Sequence, residues 1–157
     1  MSVISPSSDQ ASAIATFAVR RASAAELPAC AALYERVLRE TFTWLPPHVH
    51  RAQDFLDHAR DEEVWLAAHG DRILGVASYY RPAEFLHSLY VEARGQGVGK
   101  ALLDQVMASA TGPFSLKVQA ENLRAQAFYV REGFLVVERG DAGPGKPAWL
   151  RMARSAD

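Results

Sequence analysis

Three glycines within five residues, in the run Arg94-Gly95-Gln96-Gly97-Val98-Gly99-Lys100, separate an extended apolar stretch (residues 85–91) from a segment whose apolar residues recur at helical period: Val98, Ala101, Leu102 and Val106. Glycine reaches positive φ without steric cost and lets a ligand approach the backbone closely. A helix starting there presents unpaired amides and the positive end of its dipole. Strand, glycine loop and helix in that order make either a tight turn or a cradle for an anion such as a phosphate group. Spacing excludes two familiar phosphate loops. A Walker loop with its lysine at Lys100 needs glycine where Arg94 stands and serine or threonine where Ala101 stands, and a dinucleotide fingerprint beginning at Gly95 or Gly97 needs its last glycine where Lys100 or Leu102 stands.

The rest of the chain narrows the class of protein. Its 157 residues suit a single domain, and 49% apolar with 22% charged residues can build a soluble core. Lys plus Arg is 17 and Asp plus Glu is 18, so 17 − 18 = −1, and no block of like charge stands out. Neither a nucleic acid nor an anionic membrane is an expected partner. The longest unbroken apolar run is six residues, 29–34, far below the ~20 that cross a bilayer. The single cysteine, Cys30, cannot close an internal disulfide or supply a thiolate cluster. With no basic segment and apolar core typical of a secretory signal at the start, the expected location is the cytoplasm. Cys30 falls one residue before the apolar face of a helix, which reads as a small buried hydrophobe. His48, His50 and His58 lack the remaining ligands of a metal site, so no metal is expected.

Residues 1–15, rich in Ser and Ala, read as a poorly ordered leader ahead of one domain over residues 16–154. Phe17 and Val19 alternate with polar neighbours as a strand does. Ser23 and Glu26 form a capping box for a first helix that ends near Glu40, before Pro46 and Pro47. A second helix is expected over residues 49–59. Residues 64–68 and 73–80 flank a turn as a hairpin, 85–91 is a third extended run, and 114–118 a further strand. Asn122 caps a helix over 123–132, and Gly133 takes the left-handed position after it. Residues 134–138 and 148–152 close the chain as a strand pair. The expected order is β1-α1-α2-β2-β3-β4-α3-β5-α4-β6-β7, a mixed α/β sheet of about seven strands.

What remains of the glycine loop is R-x-x-G-x-G, carried by Arg94, Gly97 and Gly99, after Leu89-Tyr90-Val91 and before Ala101-Leu102-Leu103. This resembles the acetyl-CoA signature of the GNAT family of N-acetyltransferases. A second block, Asn122-Leu123-Arg124-Ala125-Gln126-Ala127-Phe128-Tyr129 followed by Gly133-Phe134, is similar to the family's N-x-x-A-x-x-F-Y-x-x-x-G-F segment. The resemblance spans roughly residues 16–154. It implies a single-domain GNAT-like fold with a splay between strands 4 and 5, acetyl-CoA as cofactor, and transfer of acetyl to a primary amine of a small molecule or peptide by direct attack in a ternary complex. A catalytically idle module that binds acyl-CoA as a sensor or scaffold is the alternative. Family members are often dimers, so a homodimer is implied by analogy.

The resemblance also assigns roles to residues. Backbone amides of Arg94, Gly95, Gln96, Gly97, Val98, Gly99 and Lys100 hold the diphosphate. Leu89, Tyr90 and Val91 serve pantetheine and the acetyl oxygen, where the family has a bulge, and Asn122 and Phe128 contact the cofactor. Tyr129 matches the family's acid for the leaving thiolate. Asn122 and Tyr129 also have plain structural roles, as helix cap and packed ring. No unique base is named; strict alternation puts His87, Leu89 and Val91 on one face of the strand, and His87 is the candidate, with Glu84 behind it. Acceptor contacts are expected from residues 42–47, with Phe42 and Trp44, from Tyr79 and Tyr80, and from residues 140–147.

Overall fold

The computed structural model describes residues 16–141 and 143–155, so the leader expected over 1–15 lies outside the described residues. Seven strands form one sheet: β1 (Ala18–Arg21), β2 (Glu63–His69), β3 (Arg72–Tyr80), β4 (Phe85–Val91), β5 (Phe114–Gln119), β6 (Leu135–Asp141) and β7 (Ala148–Arg154). They lie in the order β1-β2-β3-β4-β5-β7-β6. Four α-helices connect them: α1 (Leu27–Thr41), α2 (Ala52–Ala59), α3 (Val98–Ala108) and α4 (Leu123–Arg131). Every neighbouring pair of strands is antiparallel except β4 with β5, which are joined through α3 and run parallel. The expected mixed α/β domain and its element order are therefore present. No helix among the described residues is long and apolar enough to cross a membrane.

Helices cover both faces of the sheet, which is why its central strands are apolar in nearly every position. Leu102, Leu103 and Val106 of α3 and Tyr129 of α4 pack with Ala77, Leu86, Leu89 and Val91 on one side. On the other, Leu33, Tyr34 and Val37 of α1 and Phe55 of α2 pack with Leu66 and Val76. The Ser23–Glu26 capping box forms, through a single 3-10 turn (Ala24–Glu26) that leads into α1. Arg20 grips the same carboxylate at 2.7 and 2.6 Å. That hydrogen bond, ahead of the one from the Ser23 amide, pulls the Glu26 pKa down to about 2.

Three boundaries differ clearly from expectation. Helix α2 starts at Ala52 rather than Val49, because His50 and Arg51 are extended after a 3-10 turn over Pro47–Val49. Its first amide, from Ala52, donates to Glu35 Oε2 of α1 at 2.7 Å, a cap supplied by another helix and invisible to local sequence rules. Strands β6 and β7 run on to Asp141 and Arg154. Gly140, expected in a loop, is a strand residue lying under Trp149: a Cβ there would meet the indole at 2.5 Å.

The irregularity that matters most is in β4. Its register with β3 steps from Ser78↔Ser88 to Tyr79↔Leu86, leaving His87 opposite no residue. A bulge shifts the phase of alternation. Leu86 therefore joins Leu89 and Val91 against α3 and α4. His87, expected on that face, instead packs tilted against His58 of α2, with ring centroids 4.1 Å apart. On its other edge β4 pairs with β5 only at Phe85↔Ser115 and Leu86↔Leu116. From His87 onward the two strands diverge, as the expected splay requires.

Phe55, 1% exposed and with its ring 5.3 Å from Tyr34, is the buried anchor of the short helix that carries His58. Phe55→Ala is expected to cost about 3–5 kcal/mol, read as a lower urea midpoint at unchanged m-value.

Candidate active site

Two adjoining clefts flank the end of β4. The first is built on the glycine loop. Gly95 and Gly97 have φ of 78° and 77°, and a Cβ on either would meet nothing within 4 Å. Conformation, not crowding, demands glycine at both positions, and the backbone there faces open space. Gly97 caps α3 and, being glycine, supplies no side-chain cap to that helix start. The loop, the first turn of α3 and the face of α4 carrying Arg124, Ala127, Phe128 and Arg131 enclose about 610 Å³. Four cations, Arg94, Lys100, Arg124 and Arg131, border this space against one carboxylate, Glu132. Burial, and next the charge of Arg124, lower the Arg94 pKa. An anion entering the cleft would relieve that repulsion. Lys100 Nζ is held by Glu132 at 2.8 Å and Asp104 at 3.3 Å, so residue 100 offers its backbone amide more readily than its side chain. Open amides at a helix start, uncrowded glycines and surplus positive charge are the donor set a diphosphate needs.

The second cleft, of about 180 Å³, opens where β4 and β5 part. Leu86, His87, Leu89 and Tyr90 form one wall and Leu116, Lys117, Val118 and Gln119 the other, with Asn122, Ala125 and Tyr129 of α4, Phe42 and Trp149 completing it. Consecutive residues divide between the clefts: Tyr129 and Tyr90 face this one, Phe128 and Val91 the first. A ligand held at the glycine loop is thereby adjacent to the splay. Asn122 serves α4 as the expected cap, its Oδ1 accepting from the Ala125 amide at 3.2 Å, and it borders the cleft as well.

Tyr129 is 4% exposed, edge-on to Phe128 and Phe134 at 5.1 and 5.5 Å. Burial pushes its phenol well above the usual value, so it carries its proton at neutral pH. Tyr90, also raised by burial, packs edge-on against Tyr34 of α1 at 5.4 Å. His87 Nδ1 lies 2.8 and 3.1 Å from the carboxylate oxygens of Glu62, which precedes β2. Glu84, expected behind His87, is engaged elsewhere: its Oε1 accepts from Thr111 Oγ1 at 2.7 Å and from the Thr111 amide.

The expected acceptor residues divide. Phe42 borders the splay, and Trp44, its ring tilted against Phe42 at 5.2 Å, donates its indole N–H to Gln119 Oε1 at 2.8 Å. Tyr79 does not belong with them: it is fully buried and stacks on Phe114, because β3 is covered on both faces. Tyr80, at the exposed end of β3, is on the wall of neither cleft. Sequence reading missed Lys117, Gln119 and Trp149, which reach the cleft from β5 and β7; Lys117 Nζ sits 4.1 Å over the Trp149 ring. His50 packs against Phe42 and His58 against His87. Among the described residues no group of three or more His, Cys, Asp or Glu side chains is arranged to hold a metal. Cys30 is fully buried, which raises its thiol to about 11.

The sequence profile of the Acetyltransferase (GNAT) family matches residues 28–134, more than half of the chain. The chain belongs to the GNAT family. A peptidyl-lysine N-acetyltransferase, YjaB of Salmonella typhimurium, is 29% identical over 138 residues, covering 82% of this chain and 91% of that protein. A GCN5-related N-acetyltransferase structure from Rhodopseudomonas palustris superposes with a TM-score of 0.75 at 17% identity, over 89% of this chain and 96% of that one. The yncA protein of Salmonella typhimurium, solved with its cofactor acetyl-CoA, gives 0.68 at 17% identity, over 90% and 94%. This protein is an N-acetyltransferase that uses acetyl-CoA.

Any side chain at Gly97 meets the cost of the left-handed region, about 1–2 kcal/mol. For Gly97→Val the loop is expected to relax away from the cleft, and titration calorimetry with CoA to show an affinity about tenfold lower, equivalent to about 1.4 kcal/mol.

Burial, and next the charge of His87, lower the His58 pKa. The unfolded chain therefore binds a proton at His58 at a higher pH than the native one does. Stability is expected to fall as pH drops below about 6.5 and to level off once the native His58 is also protonated. His58→Phe removes this contribution, and urea midpoints compared at pH 7.5 and pH 5.5 check it.

Proposed function

We propose that the enzyme acetylates a primary amine of a small molecule or peptide by direct attack within a ternary complex, with Tyr129 as the acid and His87 as the base. The observation that carries this reading is the splay cleft, whose walls include both side chains and which adjoins the cationic, glycine-lined cleft. Acetyl-CoA supplies an acetyl group activated as a thioester. Backbone amides of residues 94–100 hold the diphosphate, with Phe128 and Asn122 beside the chain that follows it. Backbone groups of Leu89, Tyr90 and Val91 orient the acetyl oxygen, where developing negative charge needs a donor. Tyr129 keeps its proton on Oη for the departing sulfur, and His87 takes one from the incoming amine.

Phe42 and Trp44, with Lys117, Gln119 and Trp149, border the acceptor. The name of the YjaB relative supports a peptide lysine as one such amine. Cytoplasmic action fits a chain whose single thiol is buried and unpaired. A homodimer belongs to the same reading, supported by the edge strand β6, where Leu135 is 71% and Val137 59% exposed. Sedimentation equilibrium is expected to give twice the chain mass.

Tyr129→Phe is expected to retain acetyl-CoA binding and lower kcat by about 10²-fold to 10⁴-fold, measured as thiol release with a panel of amines. An unchanged kcat removes Tyr129 from the mechanism. His87→Ala is expected to alter the pH dependence of kcat/KM through the neutral range, and an unaltered profile rejects His87 as the base.

A further inference from the structure

The bulge that sets His87 apart from the β3 ladder also brings it against a carboxylate that no motif of the chain points to. Glu62 lies in the turn between α2 and β2, and its side chain is 6% exposed, whereas that of His87 is 35% exposed and borders the splay cleft. The carboxylate is therefore the inner member of the pair and the imidazole the outer one. Both carboxylate oxygens approach the same ring nitrogen, Nδ1, at 2.8 and 3.1 Å. A carboxylate accepts, so the hydrogen facing it is on Nδ1, and in the neutral ring that leaves Nε2 as the nitrogen with a lone pair. His58 of α2 packs against the same ring, tilted to it at a centroid distance of 4.1 Å, and limits its rotation. Burial keeps His58 itself from protonating readily, so it does not compete for Glu62 as a second cation.

We propose that Glu62 is a positioning residue of this acetyltransferase, fixing the tautomer and ring orientation of His87 so that Nε2 is the proton acceptor for the amine substrate. This rests on the reading of His87 as the base. In the step it serves, an N–H bond of the acceptor ammonium breaks, its electron pair stays on nitrogen as the nucleophile, and the proton forms a bond to Nε2. The imidazolium so produced faces the Glu62 carboxylate, which balances its charge within the protein. Glu62 neither touches the substrate nor changes protonation. The logic is that of any carboxylate–imidazole pair in which the acid orients and the ring transfers.

The test combines kinetics with a direct view of the ring. Glu62→Gln is expected to lower kcat by about 10²-fold to 10⁴-fold, the scale of losing a positioned base, while the KM for acetyl-CoA stays unchanged. Glu62→Asp, which retains the charge on a shorter arm, is expected to recover part of that loss. In the unsubstituted enzyme, ¹⁵N-correlated spectra of the His87 ring at neutral pH are expected to show hydrogen on Nδ1 and none on Nε2. This measurement needs no variant to fold. Wild-type kcat in a folded Glu62→Gln enzyme, or hydrogen on Nε2 in the native ring, overturns the proposal. If His87→Ala lowers kcat while Glu62→Gln does not, Glu62 is excluded and His87 stands. If His87→Ala leaves kcat and its pH dependence intact, the base assignment itself fails.

Discussion

Two register positions, Phe85↔Ser115 and Leu86↔Leu116, are all that join β4 to β5 among the described residues, and the rest of the site follows from how little that is. A parallel pair held along its whole length would close the sheet and leave no room between the strands. Here β5 pairs with β7 over six consecutive positions, so its alignment is set from the far side, while β4 is held by β3. Each strand is anchored by its outer neighbour, and the seam between them opens without an isolated strand edge having to support itself. The bulge stands where the seam opens. It breaks the β3 ladder at the residue following the last β5 partner, concentrating both disturbances at His87.

Charge and burial then divide the labour between the clefts. The outer one gathers arginines around uncrowded glycine backbone, which favours a strongly anionic group at low cost in desolvation. The inner one is narrow and walled largely by aromatic and aliphatic side chains, with a few polar groups placed singly. Helix α4 couples them: Asn122 fixes its first turn, and Phe128 and Tyr129, adjacent in sequence, face different clefts. A helix start facing one cleft and a second helix edging both would give a cofactor bound across them a direction as well as a location.

What could be read from the sequence follows the range of the interactions involved. Element order, the capping box at Ser23, the Asn122 cap and the turn at Gly133 depend on residues within a few positions of one another, and all are present. The glycine loop was legible for the same reason. Long-range partners were not. Glu35 capping α2, Glu62 behind His87 and Lys117 over Trp149 join residues 17, 25 and 32 positions apart, and no local pattern announces them. The bulge defeated alternation, since one extra residue moves every side chain before it to the opposite face. Tyr79 is core for a related reason: on a strand covered on both sides, an aromatic residue is buried whichever way it points.

Trp149 lies across Gly140, where even a methyl group would collide with it, and carries the Lys117 ammonium on its ring. An indole whose neighbours are a peptide backbone and a movable cation is an internal optical gauge. Any acceptor that draws Lys117 away changes the field on that ring and so shifts the wavelength of its fluorescence. Against the background of Trp44 and Trp65, occupancy of that wall would then be readable from Trp149 without an attached dye.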